Sequence, residues 1–446
     1  MTDPKPLPNV RVVIEEAVSR PGAGDNSDLG HPMGEPMLVV HNGEVAVSLN
    51  NFHPRGEISE AIHMTRQLLF QRTASGWALA FRADDCRLLA PAPIGRLPKG
   101  HLALFVNWVP QIVHGMTDST VPQIWEFDWA DLSKPVRKDR AEWPPEKPPT
   151  WMYRGFAVDG QTGGCLLLLN REESQQWSYR DGDGRWAARG VIPFPWGKEY
   201  DEPQPVRLCY PNAFLKGKAA YILGQSDVLE PYHKWREHVS GHTFDLRRLF
   251  VSWTPDLTAE PFRPWVEIAS RDATGGIVYP HDVCVDGAGN MHLLWYEIAY
   301  DEGIRRSFFP DKEQETELHY GVFRDGALVS NRTLITGGRG LNPWSGKWYP
   351  NWTAFSRFHA APNNRLFILY WHCEVGGSPD MRLLEVYENG QTSQCVPLAL
   401  ETPLGWFFTN SLRGGNRPSW DVHLMGQAPG FRENTPVRYA LIRLEP

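Results

Sequence analysis

The sequence predicts an all-β fold, a seven-bladed β-propeller whose ring is closed by strands from the two chain ends. Composition is the first observation, because the 446 residues include 19 Trp, 40 Gly and 38 Pro, with no long run of Ala, Leu, Glu and Lys. Such a composition is typical of many short strands joined by turns. The second observation is a repeated pair of apolar runs, and the third is that each chain end resembles a strand without a partner.

Seven segments share one pattern, in which two alternating apolar runs flank a turn that contains Gly, Asn or Asp. Each segment predicts a β-hairpin, because Gly and Asn tolerate the positive φ that tight turns require. The pattern is least clear in the second segment. In chain order the segments begin at Met37, His101, Arg154, Asn212, His281, Thr353 and Thr409.

A second strand pair follows most of these hairpins. Examples are QQWSYRDGDGRWAARGVI from Gln175, ELHYGVFRDGALVSNRTLI from Glu317 and MRLLEVYENGQTSQCVPLAL from Met381. Two successive hairpins make a four-stranded sheet. The units recur at roughly 55 to 75 residues, which exceeds the about 40 to 50 residues of an ordinary blade. The repeat therefore predicts propeller blades with enlarged loops.

The two chain ends predict how the ring closes. NVRVVIEEAV from Asn9 and PVRYALIRLEP from Pro436 each resemble a single strand, and their pairing would leave no free sheet edge in the last blade. The Pro-rich stretch EWPPEKPPTW from Glu142 falls between the second and third units, so we interpret it as a surface connection. We therefore expect residues 1–446 to form a single propeller domain. Two stacked β-sandwiches are the alternative fold.

Charge and hydropathy limit the classes of partner. The formal net charge of −7 argues against a general nucleic-acid-binding protein, which would carry a basic excess. No run of about 18 apolar residues predicts a membrane span. The N-terminus lacks the apolar segment of a signal peptide, so we expect a periplasmic or secreted protein if such a peptide was removed, and a cytoplasmic one otherwise. The six widely spaced cysteines are expected to be free thiols, most of them buried.

A Tyr-Pro pair occurs three times, each time just before a strand-like run. The tyrosines are Tyr210, Tyr279 and Tyr349. Proline fixes its own φ and biases the preceding residue towards extended geometry, so Tyr-Pro is a rigid way to begin a strand. The repetition favours a structural role for most copies, with the rings packed between blades.

Several polar residues lie at predicted strand ends, where propellers bind ligands. His53 follows the first hairpin, and Tyr153 precedes the third. Arg171 comes directly after the run LLLLN, and a charge that leaves an apolar layer usually has either a salt-bridge partner or an anionic ligand. Both interpretations remain open for Arg171 at this level.

A metal site is a further hypothesis. The stretch PYHKWREHVSGH carries His233, His238 and His242, and His372 with Cys373 adds nitrogen and sulfur ligands elsewhere. This spacing matches no standard zinc motif. We expect no required cofactor, and a structural Zn²⁺ or Ca²⁺ ion remains an open alternative.

Three short segments of the sequence resemble segments of the BNR-repeat seven-bladed propellers, a family that includes the ulvan lyases and related rhamnosidases. EPMLVVHNGEVAVSLNNFH is similar to a family strand pair and places His53 on the family's histidine. WMYRGFAVDGQTGGCLLLLNR places Tyr153 and Arg171 on the family's Tyr and Arg, and CYPNAF places Tyr210 on a later Tyr. The sequence departs from the family where Arg154 replaces a Pro and Asn170 replaces a Tyr.

The resemblance implies a polysaccharide lyase that cleaves an ulvan-like, uronic-acid-containing glycan by β-elimination. Arg171 would then neutralise the carboxylate, Tyr153 or Tyr210 would be the base, and His53 the acid. We expect Arg413 and Arg417 to contact carboxylate or sulfate groups, and Trp348 to stack on a sugar. The partner would be an anionic oligo- or polysaccharide.

Two other functions are compatible with the same scaffold. The first is a glycoside hydrolase of the α-L-rhamnosidase or sialidase type, which normally needs a pair of carboxylates, here from Glu57, Asp282 or Asp421. The second is a propeller that binds glycans without catalysis. Fold alone does not decide among the three.

Overall fold

A computed structural model gives the fold of most of the chain. It describes residues 7–19, 27–28, 35–52, 64–87, 91–108, 121–144, 153–171, 173–239, 244–337, 355–373, 378–387, 390–428 and 436–446. Seven four-stranded antiparallel blades form a ring, which confirms the predicted seven-bladed β-propeller. The sheets of the first two blades are joined by one pairing, Cys86 with Trp108.

The strands of the first three blades follow in chain order, with two strands ahead of them. The leading strands are β1 (Asn9–Ala17) and β2 (Ser27–Asp28). Blade 1 has β3 (Leu38–His41), β4 (Glu44–Phe52), β5 (Met64–Thr73) and β6 (Gly76–Arg87). Blade 2 has β7 (Ile94–Leu97), β8 (His101–Trp108), β9 (Val121–Asp128) and β10 (Arg137–Arg140). Blade 3 has β11 (Arg154–Val158), β12 (Cys165–Asn170), β13 (Ser174–Arg180) and β14 (Trp186–Pro193).

The remaining blades have the same order from the inside of the ring outwards. Between blades 3 and 4 lie β15 (Trp196–Gly197) and β16 (Gln204–Pro205). Blade 4 has β17 (Leu208–Lys216), β18 (Ala219–Ser226), β19 (Arg248–Thr254) and β20 (Val266–Ser270). Blade 5 has β21 (Gly275–Val285), β22 (Met291–Tyr300), β23 (Thr316–Arg324) and β24 (Ala327–Gly337). Blade 6 has β25 (Ser356–Ala361), β26 (Arg365–His372), β27 (Asp380–Val386) and β28 (Val396–Leu398). Blade 7 has β29 (Trp406–Thr409), β30 (Asp421–Gln427) and β31 (Val437–Glu445).

The two chain ends complete blade 7, as the sequence predicts. β1 pairs antiparallel with β31, from Asn9 opposite Glu445 to Ala17 opposite Arg438. β1 is therefore the outermost strand of the last blade. This pairing ties the first strand of the chain to the last one and covers the outer edge of β31, so that β1 is the edge strand of the blade.

Helix contributes little to the described residues. The described part of the chain has one α-helix, α1 (Glu302–Phe308), and two short 3-10 turns at Pro98–Gly100 and His233–Trp235. No helix among the described residues is long and apolar enough to cross a membrane. None of the six cysteines forms a disulfide, and four of them, Cys86, Cys165, Cys209 and Cys284, are buried.

The core consists of apolar layers between neighbouring blades. Phe105 of blade 2 packs on Phe156 of blade 3 with ring centroids 5.9 Å apart, and Trp253 of blade 4 meets Phe323 of blade 5 at 5.1 Å. Each strand presents alternate side chains to the two faces of its blade, so both sets are covered by a neighbouring blade. This explains why the inner strands read as nearly continuous apolar runs.

The ring has two opposite faces, which we name by the residues that mark them. The innermost strands begin near the tyrosine face, marked by Tyr153, Tyr210 and Tyr279. They end at the hairpin face, where each turns into the second strand of its blade. That face is marked by the turns at 42–43, 98–100, 159–164, 217–218, 286–290, 362–364 and 410–420.

The segment 410–418 of blade 7, which we call the plug, contacts other blades at the hairpin face. Arg96 N donates to Gly414 O and Val158 N donates to Arg413 O, which attaches the plug to blades 2 and 3. The Asn416 amide bonds to Val40 N and Leu38 O of blade 1. Gly415 has φ +74°, and a Cβ there would lie 2.3 Å from the carbonyl oxygen of Arg96. The plug therefore depends on a close backbone approach that only glycine permits.

Candidate functional site

The repeated Tyr-Pro pairs mark irregular positions in the inner strands. The register of β17 shifts between Cys209 and Asn212, and that of β21 shifts just after Tyr279-Pro280. A bulge suits proline, which cannot donate to a sheet ladder. The two described Tyr-Pro pairs therefore lie at bulges inside their strands and not at a strand's beginning, and the positive φ of Tyr210 differs from the predicted extended geometry. Tyr349 lies outside the described residues.

Tyr153 and Tyr210 are brought together from neighbouring blades at the tyrosine face. Their ring centroids lie 4.7 Å apart with the planes 67° to each other. Both residues have positive φ, 22° for Tyr153 and 49° for Tyr210, which is unfavourable for an aromatic residue. The surrounding structure must hold such backbone strain, and it is often found at functional sites.

Burial keeps both phenols protonated. Burial raises the pKa of Tyr153, and the neighbouring Cys209 and Asp227 add to that rise, whereas Arg207 lowers it. Burial also raises the pKa of Tyr210. The neighbouring Tyr210 hydroxyl lowers the pKa of Tyr153, whereas the Tyr153 hydroxyl raises that of Tyr210. Tyr153 is therefore the more acidic phenol of the pair.

An ion pair beside the two tyrosines was not predicted from the sequence. Arg207 Nη2 lies 2.8 Å from Asp227 Oδ2, and Arg207 Nε donates to Asp227 O at 2.9 Å. The signal was available, because Leu208 pairs with Ser226 in the β17–β18 ladder and the next pair outwards is Arg207 with Asp227. Such a cross-strand pair is recognised only when the register of the hairpin is known.

Arg171 lies on the same face as Tyr153, directly after β12. The preceding residue, Asn170, donates its backbone N–H to Tyr153 O at 3.2 Å, and its side chain donates to Leu208 O of blade 4. Arg171 N itself donates to Ser174 O at 2.8 Å, which closes a tight turn. The half-buried Arg171 side chain thus starts from a backbone position fixed next to Tyr153. Two further predicted site residues, His53 and Trp348, lie outside the described residues.

The structure does not bring Arg413 and Arg417 to the tyrosine face. Both belong to the plug at the hairpin face. Arg413 is 2% exposed, and its Nη2 lies 2.7 Å from Asp282 Oδ1. Arg417 is exposed. That Arg413 and Arg417 contact a substrate at the tyrosine face stays a prediction, and their position at the opposite face does not favour it.

The histidines predicted as metal ligands have other partners. His233 Nε2 lies 2.9 Å from Glu202 Oε1, His238 Nδ1 lies 2.9 Å from Ser307 Oγ, and His372 Nδ1 lies 3.5 Å from Asp380 Oδ1. His242 lies outside the described residues.

One other cluster of potential metal ligands occurs in the described part of the chain. It consists of Glu297, Glu317 and His319. Arg271 donates to a carboxylate oxygen of each glutamate, at 2.5 and 2.6 Å. The single guanidinium therefore offsets one of the two negative charges of the cluster.

Comparisons with known proteins agree with this fold. No protein-family model matches the chain, and no curated protein matches it. Among solved structures, a PL25 ulvan lyase bound to GlcA(1-4)Rha3S is similar at 10% sequence identity, with a TM-score of 0.57 over 96% of both chains. The polysaccharide lyase Uly1 is similar at 12% identity, with a TM-score of 0.53 over 94% of this chain and 91% of that one. An α-L-arabinanase of Penicillium chrysogenum has 10% identity and a TM-score of 0.44 over 78% and 92%.

Proposed function

We propose that this protein is a carbohydrate-active enzyme that cleaves an anionic, uronate-bearing glycan by β-elimination at the tyrosine face. The observation that carries the proposal is the contact between Tyr153 and Tyr210, two strained phenols from neighbouring blades. Arg171 follows the strand that is bonded to Tyr153. The likeness to two polysaccharide lyases and the resemblance to the BNR-repeat propellers support the same choice.

The reaction requires one base, one acid and one cation. The base removes the proton from the carbon next to the uronate carboxylate, and that electron pair forms a double bond to the neighbouring carbon. The bond from this carbon to the glycosidic oxygen breaks, and the acid gives that oxygen a proton. A cation on the carboxylate stabilises the charge that develops in the transition state.

The residues of the tyrosine face fit these roles. We propose that Arg171 binds the carboxylate, because a guanidinium can bind it with two parallel hydrogen bonds. We assign the base to Tyr153 because burial raises the pKa of both phenols, while Arg207 and the Tyr210 hydroxyl partly offset that rise for Tyr153 alone. The proton for the leaving oxygen comes from His53 or from Tyr210, which stays protonated.

The proposal is tested by incubating the protein with ulvan and other uronate polymers. A lyase produces an unsaturated uronate, whose ultraviolet absorbance rises with time. Replacement of Arg171 with glutamine is expected to lower kcat/KM about 100-fold, because the carboxylate loses its cation. Arg189→Gln is the matched control, since this exposed arginine lies on β14 at the outside of blade 3. Reducing sugar without ultraviolet absorbance would indicate a hydrolase, and neither signal with any polymer would contradict the proposal.

The proposed base predicts a pH profile. Burial raises the pKa of Tyr153 above the usual value of a tyrosine, so its phenolate is a small fraction at neutral pH. That fraction grows about tenfold for each pH unit below the pKa. We therefore expect log kcat/KM to rise with a slope near one up to about pH 9, where kcat/KM is still increasing. A profile that falls over this range would assign the base to another group.

The carboxylates that the sequence offers for a hydrolase give that alternative little support. Asp282 is fully buried and paired with Arg413. Asp421 begins β30 on the hairpin side, where Arg443 holds both of its oxygens at 2.7 and 3.0 Å. Glu57 lies outside the described residues. Neither of the two described carboxylates lies beside the tyrosine pair, so a hydrolytic carboxylate pair gains no support there.

A further inference from the structure

A large cavity opens at the hairpin face, on the other side of the ring from the tyrosine pair. Its volume is about 1240 Å³, and its wall is made from the hairpin-face ends of blades 2 to 6 together with the plug. This volume far exceeds that of a single ion and is suited to a ligand of several rings. The proposed reaction makes no use of this cavity.

The wall of the cavity is basic, although the chain as a whole carries a formal net charge of −7. Two carboxylates line it, Asp159 and Asp286. The cations that line it are Arg96, Lys99, Lys216, Arg324, Arg365 and Arg417. A concave site with an excess of one sign of charge attracts ligands of the other sign.

The two carboxylates are occupied by their own turns. Asp159 accepts from the backbone of Gln161, from Thr162 Oγ1 and, across the blade boundary, from Gly217 N at 2.7 Å. Asp286 accepts from the backbone and side chain of Asn290. Both keep their negative charge, but within the described residues neither forms a salt bridge with Arg96 or Arg417, and neither shifts the pKa of Arg96.

Arg96 and Arg417 are the two arginines of this wall whose positive charges are least balanced by nearby carboxylates. Arg96 is only 6% exposed, and its Nη1 reaches nothing stronger than the carbonyl oxygen of Gly415 at 3.3 Å. Burial lowers the pKa of Arg96, and the positive charge of Arg417 lowers it further. Both arginines also lower the pKa of His41. Within the described residues neither has a carboxylate partner, and a buried charge without a partner is costly.

The other cations of the wall are less available. Arg365 is held by Glu385 through two bonds, and Arg324 lies 3.8 Å from Asp325. Lys216 donates to the carbonyl oxygens of Asp286 and Gly287. Lys99 is exposed and forms no ion pair in the described part of the chain, so the charge that is open to a ligand lies at Arg96, Lys99 and Arg417.

We propose that the hairpin-face cavity binds an acidic oligosaccharide, with a carboxylate or sulfate group held between Arg96 and Arg417. Guanidinium groups bind planar and tetrahedral oxyanions with paired hydrogen bonds. The amides of Asn290, Asn363 and Asn364, which also line the cavity, supply donors and acceptors for sugar hydroxyl groups. This binding site is independent of the reaction proposed at the tyrosine face.

Calorimetric titration with trigalacturonate tests the proposal. The Arg171→Gln variant is the host protein, so that the proposed substrate site contributes little. Arg417→Gln is expected to weaken trigalacturonate binding about tenfold or more, because one charge-assisted contact is lost. Arg96→Gln should weaken it similarly. Arg324→Gln, on the same wall but next to Asp325, is the matched control and should change the dissociation constant less than about threefold.

Three results would overturn the proposal. If the neutral trisaccharide maltotriose bound as tightly as trigalacturonate, the negative charge of the ligand would not be what the cavity recognises. If inorganic sulfate or phosphate bound as tightly as trigalacturonate and with the same dependence on Arg417, the cavity would be a site for inorganic anions and not for an oligosaccharide. An equal loss in Arg324→Gln and Arg417→Gln would indicate attraction by net charge alone. Because binding is measured in Arg171→Gln, failure of the lyase proposal would not affect the outcome.

Discussion

Replacing Tyr210 with phenylalanine is expected to lower kcat on the cleaved glycan by about 100-fold or more, and replacing Tyr153 is expected to do the same. General acid–base groups typically contribute this much to an enzymatic rate. In this site the loss has a second cause, because removal of either hydroxyl also changes the pKa of the other phenol. The initial rate of unsaturated uronate formation measures the effect.

The Tyr→Phe exchange keeps the aromatic rings, so the edge-to-face contact at 4.7 Å is preserved. Tyr221→Phe is the matched control, because Tyr221 lies on β18 and its hydroxyl is close to the hairpin-face turn that contains Gly289. We expect its kcat to be unchanged. If Tyr153→Phe and Tyr210→Phe both kept wild-type kcat, neither phenol would be the acid or the base, and the active site would have to lie elsewhere on the molecule.

The architecture could be predicted from the sequence because it depends on local patterns. Alternating apolar runs and Asn-Gly or Asp-Gly turns specify each hairpin without reference to the rest of the chain. Asn42-Gly43 and Asp325-Gly326 show this directly, since all four residues have positive φ. The pairing of the two chain ends was also predictable, because each end has a strand pattern and no neighbour in sequence to pair with.

The site was predictable only in part, because its geometry depends on ring closure. Tyr153 and Tyr210 meet because two blades lie side by side, and the resemblance to a known family placed them in one site before the distance was known. The position of Arg413 could not be predicted in this way. In the sequence, SLRGGNRPSW has the composition of an exposed loop, whereas in the structure Arg413 is buried against Asp282, which belongs to a different blade. Pattern reading does not reveal a contact between residues so far apart in the chain.

The ion pair between Arg413 and Asp282 is expected to contribute strongly to stability. Arg413→Ala should lower the free energy of unfolding by about 3–5 kcal/mol. Asp282 is completely buried, and one of its oxygens accepts from Phe358 N of blade 6 at 2.8 Å. Without Arg413 the carboxylate would lose its ion pair in a site that water does not reach. Arg357, whose pKa burial lowers to about 10, is the other nearby cation and offsets part of the loss. Chemical denaturation measures the change.

Arg417→Ala separates the ion pair from the plug as a whole. Arg417 belongs to the same segment but is exposed, and no ion pair to it occurs in the described part of the chain. We expect a change within about 0.5 kcal/mol for this variant. Asp282→Asn in the Arg413→Ala background should recover part of the lost stability, since the unpaired buried charge is then absent. Equal destabilisation by Arg413→Ala and Arg417→Ala, or no recovery in the double variant, would mean that the plug is held by its backbone contacts and that the buried pair contributes little.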